Sequence, residues 1–153
     1  MKREELQQYL SDKFGTLVFP EIAAEILNSE VKKEELITFC NFLKADEHLH
    51  FDFLASLTAL DWPEDMEVIY HLRSSEYGHE LVLRVKTGER QDPKVDTVCR
   101  IWPTAEFHER EVFDLFGIRF NDHPDLRRIF LEDDWVGFPM RKDYEDEINM
   151  VEL

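Results

Sequence analysis

The segment Met66–Lys86, MEVIYHLRSSEYGHELVLRVK, sets the fold class. Met66, Val68, Tyr70 and Leu72 alternate with Glu67, Ile69 and His71, and Leu81, Leu83 and Val85 alternate with Val82, Arg84 and Lys86. A period of two belongs to a strand, whose successive side chains point to opposite faces. The link from Arg73 to Gly78 is short and turn-rich, so the two strands are predicted to pair as an antiparallel hairpin.

Before the hairpin, Asp61-Trp62-Pro63-Glu64-Asp65 reads as a turn and Phe51 to Leu60 as an apolar run. Leu36, Phe39, Cys40 and Leu43 recur at i, i+3, i+4 and i+7, which predicts a helix over 33–44 with Cys40 as a small core residue. Leu6, Tyr9, Leu10 and Phe14 predict another over 4–14, stopped by Gly15. Residues 16–31 stay open: Pro20 is placed to start a helix through Leu27, yet Leu17-Val18-Phe19 reads as extended. After the hairpin come a polar loop, Gly88 to Pro93, and a short run, Val95 to Trp102. Pro103 suits the first position of a helix, where its missing N–H has no intrahelical partner anyway, and that helix should run to Phe116 and stop at Gly117. Ile118-Arg119-Phe120 looks extended, and Asn121 to Asp125 is a turn. Interspersed helices and strands imply a single α+β domain with helices on a mainly antiparallel or mixed sheet. Residues 1–120 are assigned to its core, and residues 121–153 to an extended partner-binding tail.

A net charge of −16 over 153 residues repels phosphate backbones and anionic headgroups, so nucleic acid is not an expected partner. The opening Met1-Lys2-Arg3-Glu4-Glu5 runs into an acidic amphipathic stretch with no secretion-type apolar core, so the chain is expected to act without a leader. The densest apolar stretch, Val112 to Phe120, is interrupted by Asp114, Gly117 and Arg119, and falls far short of the roughly 20 residues that span a bilayer. Attachment to a membrane is expected only through partners.

Two cysteines, Cys40 and Cys99, stand far apart, which fits a reducing compartment and excludes a four-thiolate iron–sulfur site within this chain. His48-Leu49-His50 has no third ligand nearby in sequence, so a polar edge is the better reading than a metal site. The five glycines are too dispersed for a dinucleotide or P-loop fingerprint. No cofactor, metal or catalytic residue is expected in this chain.

The informative stretch is Trp102 to Tyr144. On a helix from Pro103, Ala105, His108, Val112, Leu115 and Phe116 fall on one arc, and Glu106, Arg110, Glu111 and Asp114 on the other. Glu106, Arg110 and Asp114 at i, i+4, i+8 predict a solvated charge ladder. Glu109 falls at the edge of the apolar arc, where a carboxylate costs stability unless it is paired or hydrogen-bonded. It reads as a general acid or as an ion-paired structural residue meeting Arg or Lys from the tail, and the lack of a second carboxylate, nucleophile or metal in its motif favours the structural role. The tail interleaves Arg127, Arg128, Arg141 and Lys142 with Phe130, Trp135, Phe138 and Tyr144, the composition of an interface hot spot.

Trp102-Pro103, the run Glu109-Arg110-Glu111-Val112-Phe113-Asp114-Leu115-Phe116-Gly117-Ile118, and His123-Pro124-Asp125-Leu126-Arg127-Arg128-Ile129 closely resemble the pattern of the C subunit, or 30-kDa subunit, of NADH:quinone oxidoreductase, respiratory complex I. Asp133-Asp134-Trp135, Gly137, Pro139 and Arg141-Lys142-Asp143-Tyr144 continue it in order, and Phe51 to Leu54, Asp61 and Tyr70-His71-Leu72 extend a looser match. Glu132 and Glu145 stand where the family often has proline, and Phe138 where histidine is common. The resemblance implies a small α+β domain without a redox centre in the peripheral arm, on the cytoplasmic face of the membrane. There it packs against the D subunit, a relative of hydrogenase large subunits that helps form the quinone site, and beside cluster-bearing subunits that hold flavin and iron–sulfur groups. It marks Glu109, Arg110, Glu111, Asp114, Phe116 and Gly117 as structural motif residues. The partner-binding candidates are His123, Pro124, Asp125, Arg127, Arg128, Trp135, Arg141, Lys142, Asp143 and Tyr144. Two alternatives remain open: the equivalent subunit of a membrane-bound hydrogenase or of a ferredoxin- or deazaflavin-linked dehydrogenase, and a stand-alone module. The latter is either an enzyme using Glu109 and His108 as acid and base or an interaction domain.

Overall fold

The computed structural model describes residues 1–145. Helix α1 (Arg3–Lys13) is followed by strand β1 (Leu27–Glu30), a 3-10 turn (Lys33–Glu35) leading into α2 (Leu36–Ala45), then β2 (Phe53–Asp61), β3 (Met66–Arg73) and β4 (Glu80–Lys86). A short β5 (Lys94–Asp96), helix α3 (Ala105–Phe116) and β6 (Arg119–Asn121) complete the regular structure. The main sheet has the order β1-β4-β3-β2, with β1 parallel to β4 and the other pairs antiparallel; β5 and β6 form a separate parallel pair. This is the single α+β domain with a mixed sheet that the sequence predicts.

The hairpin forms in the expected register, Tyr70 opposite Leu83 and Leu72 opposite Leu81. Its turn closes through Ser74 N–H to His79 C=O, with Gly78 at φ 78°, a left-handed conformation that suits glycine. Met66, Val68, Tyr70, Leu72, Leu81, Leu83 and Val85 are all fully buried, in one core with Leu6 and Leu10 of α1, Phe39, Cys40 and Leu43 of α2, and Ala105 and Val112 of α3. The opposite face is polar and paired: Arg84 bridges the buried Glu67 at 2.8 Å and Asn28 at 3.0 Å, Lys86 lies 3.8 Å from Glu30, and His71 3.4 Å from Glu80. One buried and one solvated face is the usual state of an antiparallel sheet.

Residues 16–26 hold no helix; Val18 bridges Glu30, and β1 adds to the edge of β4. β2 carries a bulge between Leu54 and Ser56, so its buried positions change parity, from Leu54 to Leu57, Ala59 and Asp61. Helix α3 begins at Ala105, after Trp102 and Pro103 have closed a tight turn, and ends at Gly117, whose φ of 77° and N–H bond to the Phe113 carbonyl at 2.9 Å make a left-handed cap.

Candidate functional site

The site is the outer side of α3 and the irregular segment laid across it. Arg110 and Asp114, expected on a solvated ladder, are 8% and 0% exposed. This corrects the ladder reading, because helical spacing gives the direction of a side chain and not what covers it. The cover is residues 126–131. Arg110 Nε donates to the carbonyl of Arg127 at 3.1 Å and its Nη2 to that of Arg128 at 3.0 Å. The Asp114 carboxylate accepts Ile129, Phe130 and Leu131 N–H at 3.3, 2.8 and 3.1 Å and Arg128 Nη1 at 2.8 Å. Burial alone raises the Asp114 carboxyl, but Arg128 and the three N–H donors outweigh it and hold the group below its ordinary value. Successive backbone N–H groups make a nest for an anion, and here the anion is a side chain of the same molecule.

Arg128 has only 10% of its side chain exposed. Its other donors reach the carbonyls of Trp135 at 3.0 Å and Gly137 at 2.7 Å, and its guanidinium lies 4.9 Å from the Phe138 ring centre. Phe138 in turn sits over Gly117, where an added Cβ would stand 2.6 Å from the ring. A Cβ at Gly137, φ 89°, would meet the Tyr144 ring at 2.9 Å. Both motif glycines therefore admit an aromatic ring against bare backbone as well as a left-handed turn.

The end of the described tail is latched to β2. Asp61, buried at the end of that strand, accepts both Arg90 terminal nitrogens and the Lys142 N–H at 2.7 Å. Arg90 also reaches Asp143 at 3.2 Å, which Arg141 holds through Nε at 2.9 Å. Arg90 holds the Asp61 carboxyl below the usual range against burial, and Arg141 with Arg90 does the same to Asp143. Arg128 and Arg141, expected to present their forks to a neighbour, thus spend them inside the chain. His123 accepts Asp125 N–H at Nδ1 and lies 2.9 Å from the Glu106 carbonyl at Nε2, which fixes the proton on Nε2. Arg127 is exposed and pairs with Asp125; Pro124 is exposed; Glu111, Phe116 and Trp135 are half-buried. Tail residues 146–153 lie outside the described residues.

Glu109 is fully buried on the other side of α3. Its partners are the Thr97 hydroxyl and the Val98 N–H at 3.1 Å, neither of them a cation, which corrects the expected pairing with a tail Arg or Lys. Burial pushes its carboxyl up to about 7, against the lowering effect of these two donors. Sequence reading missed Thr97, Asp61 as an acceptor and Arg90. Nothing local in the sequence marks Arg90, whose partners lie far away along the chain.

Among the exposed charged residues of the folded tail, which include Asp125, Arg127, Glu132, Asp133 and Asp134, three apolar side chains also reach solvent: Phe130 is 64%, Val136 87% and Met140 56% exposed, with Phe107 of α3 at 61%. Met140 is held at α3 by its N–H bond to the Leu115 carbonyl, and Phe130 by its N–H bond to Asp114. Phe107 falls on the same helical face as Arg110 and Asp114.

Residues 29–148 match the model of the respiratory-chain NADH dehydrogenase 30 Kd subunit family. The chain is 44% identical over 134 residues to the C/D subunit of the NADH-quinone oxidoreductase of Phocaeicola vulgatus, covering 87% of this chain and 24% of that one. It is 42% identical over 127 residues to the C 2 subunit of the Rhizobium meliloti oxidoreductase, covering 78% and 69% of the two chains, and 44% identical over 118 residues to the C subunit of the Geotalea uraniireducens oxidoreductase, covering 74% and 70%. It thus spans about a quarter of the C/D relative and about 70% of the C relatives. Among solved structures, a chain of the membrane-bound sulfane sulfur reductase, an archaeal respiratory membrane complex, superposes with a TM-score of 0.79 at 27% identity over 93% of this chain and 85% of that one. Together with the α3 motif and the folded tail, these likenesses place the chain in the respiratory-chain NADH dehydrogenase 30 kDa subunit family.

Proposed function

We propose that this chain is a non-catalytic, cofactor-free peripheral-arm subunit of a proton-translocating NADH:quinone oxidoreductase that packs against the D subunit, beside cluster-bearing neighbours. The observation that carries the reading is the C/D relative, in which a stretch matching this chain belongs to one polypeptide with the D portion named with it. Covalent linkage fixes two modules at high effective concentration, an arrangement that suits partners already in contact. Two cysteines, Cys40 among them fully buried, argue against a cluster held by this chain. No helix among the described residues is long and apolar enough to cross a membrane, and in this reading partners hold the chain at the cytoplasmic face.

The docking surface in this reading is the apolar rim of Phe107, Phe130, Val136 and Met140, held in place by the internal clasp beneath it. The Arg128 and Arg141 forks act through that clasp. A second reading keeps the role and changes the complex: the likeness to the sulfane sulfur reductase chain favours an equivalent place in a respiratory membrane assembly with another electron donor. A tagged copy expressed in its native host and purified from mild detergent tests both. Co-purification of a D subunit with NADH-oxidising subunits is the expected result. A D-like subunit without them selects the second reading, and recovery of the chain alone overturns both.

A further inference from the structure

Glu109 is enclosed by three elements, and its hydrogen bonds have an unusual form. Cys40 from α2 and Tyr70 from β3 are fully buried and close enough for the Glu109 charge to raise both their ionisations, after burial itself. Asp96 at the end of β5 acts on Tyr70 in the same sense. The Tyr70 hydroxyl is buried with no hydrogen-bond partner among the described residues, so it relieves no charge on Glu109. Lys44, which reaches the same turn, donates instead to the Ile101 carbonyl. Among the described residues no cation bonds this carboxyl, and desolvation weighs against its charge.

Thr97 stands between this group and the surface. Its Oγ1 accepts Cys99 N–H at 3.1 Å and is hydrogen-bonded to Glu109 Oε1, while the residue lines a surface hollow of about 240 Å³ with Asn41, Asp96, Arg100, Asn121 and Asp122. A hydroxyl that already accepts one bond has two ways to meet a carboxyl. It donates to a carboxylate, or it accepts from a carboxylic acid and turns its own proton toward the hollow. Val98 N–H donates to Oε2 in either case.

We propose that Glu109 is a buried proton-binding site whose occupancy sets how firmly the 97–102 turn is held against α3, with Thr97 as its relay to solvent. On deprotonation, Glu109 passes its proton to Thr97 Oγ1 while the Thr97 hydroxyl proton goes to a water in the hollow. One proton leaves, and Thr97 is unchanged. The turn also carries Trp102, whose indole N–H fixes the Phe51 carbonyl at 2.9 Å, and Ile101, the acceptor for Lys44. A change at Glu109 therefore reaches the segment before β2 and the end of α2. The buried carboxyl, drawn by desolvation to about 7, titrates in the range a cell explores.

The test uses the full chain. The infrared band of a protonated carboxyl is followed from pH 4 to 9 in wild type and Glu109→Gln, with amide exchange of Val98 and Cys99 read on the same samples. Above about pH 6, where ordinary carboxyls are ionised, the expected band persists in wild type to near pH 7 and is missing in Glu109→Gln, whose amide mimics the neutral acid. Val98 protection, corrected for intrinsic exchange, should fall about tenfold across the titration in wild type and stay constant in Glu109→Gln. Should that variant fail to fold, Thr97→Val must raise the midpoint and Thr97→Ser restore it. A wild-type band that titrates entirely below pH 5, or Val98 protection independent of pH, overturns the proposal.

Discussion

Two buried carboxyls on α3, Glu109 and Asp114, are driven in opposite directions by what faces them. Asp114 has a guanidinium and three backbone donors, so its folded form prefers the charge; Glu109 has a hydroxyl and one N–H, so its folded form prefers the proton. The linkage signs follow. A depressed carboxyl contributes stability that is present above the unfolded value of 3.8 and lost as pH falls through the folded one. A raised carboxyl does the reverse: below the ordinary 4.5 both states are protonated, and stability then declines with pH until about 7 and stays lower beyond it. The full decline is on the order of 3 kcal/mol at about 1.4 kcal/mol per unit. Urea melts of wild type from pH 5 to 8.5 should therefore show a falling midpoint, and Glu109→Gln should flatten it. Asp114→Asn should cost about 3 kcal/mol or more at pH 7, because Arg128 is left buried without its counter-charge. Equal pH slopes in wild type and Glu109→Gln would refute the assignment. At this scale the sequence was legible in part: spacing placed Glu109 at a buried edge, but its partner Thr97 was invisible because it precedes the helix and carries no periodic signal.

Elements were legible where one local period governed them. The hairpin has clean alternation over both strands, and α2 and α3 have clean helical stripes, so both kinds appeared in the sequence with ends displaced by one to three residues. β2 was visible only as an apolar run, since its bulge breaks the alternation between Leu54 and Leu57. β1 is four residues, Leu27-Asn28-Ser29-Glu30, stabilised by pairing with β4 across more than fifty positions of sequence, and nothing within it predicts that. The tail is the same case extended: Asp114, Asp61 and Gly117 hold it from far away along the chain. Gly117 tests this account of the α3 end. Alanine there must adopt a positive φ and push the Phe138 ring away, and a loss of about 1–3 kcal/mol is expected. Phe138→Ala removes the collision, so the double variant should be less destabilised than the sum of the two singles. Strict additivity in thermal melts would mean that the ring does not press on the helix cap.

For the whole molecule, the two sides of the fold differ in what they do with their arginines. The outer face of the sheet carries ion pairs beside the exposed Phe53 and Leu60 of β2, while the α3 and tail side internalises Arg110, Arg128 and Arg141 and leaves Phe107, Phe130, Val136 and Met140 to solvent. Exposed apolar side chains set among charged ones suit a partner that buries apolar area at the centre of its contact and leaves a polar rim. The clasp makes this rim a fixed surface, so docking does not carry the full cost of ordering a loose tail. Exposed positions separate binding from folding in a way that Arg128 or Asp114 cannot. Phe130→Asp and Val136→Asp alter side chains already in water, so each variant should melt within about 0.5 kcal/mol of wild type. Each should weaken capture of the D subunit by about tenfold or more, since a carboxylate facing an apolar contact is desolvated without a partner. Asp52→Asn, on the surface loop before β2, serves as the control and should capture normally. If both rim variants fold and capture at wild-type level, the rim is solvent-facing in the assembly, and the docking face must be sought on the ion-paired side of the sheet.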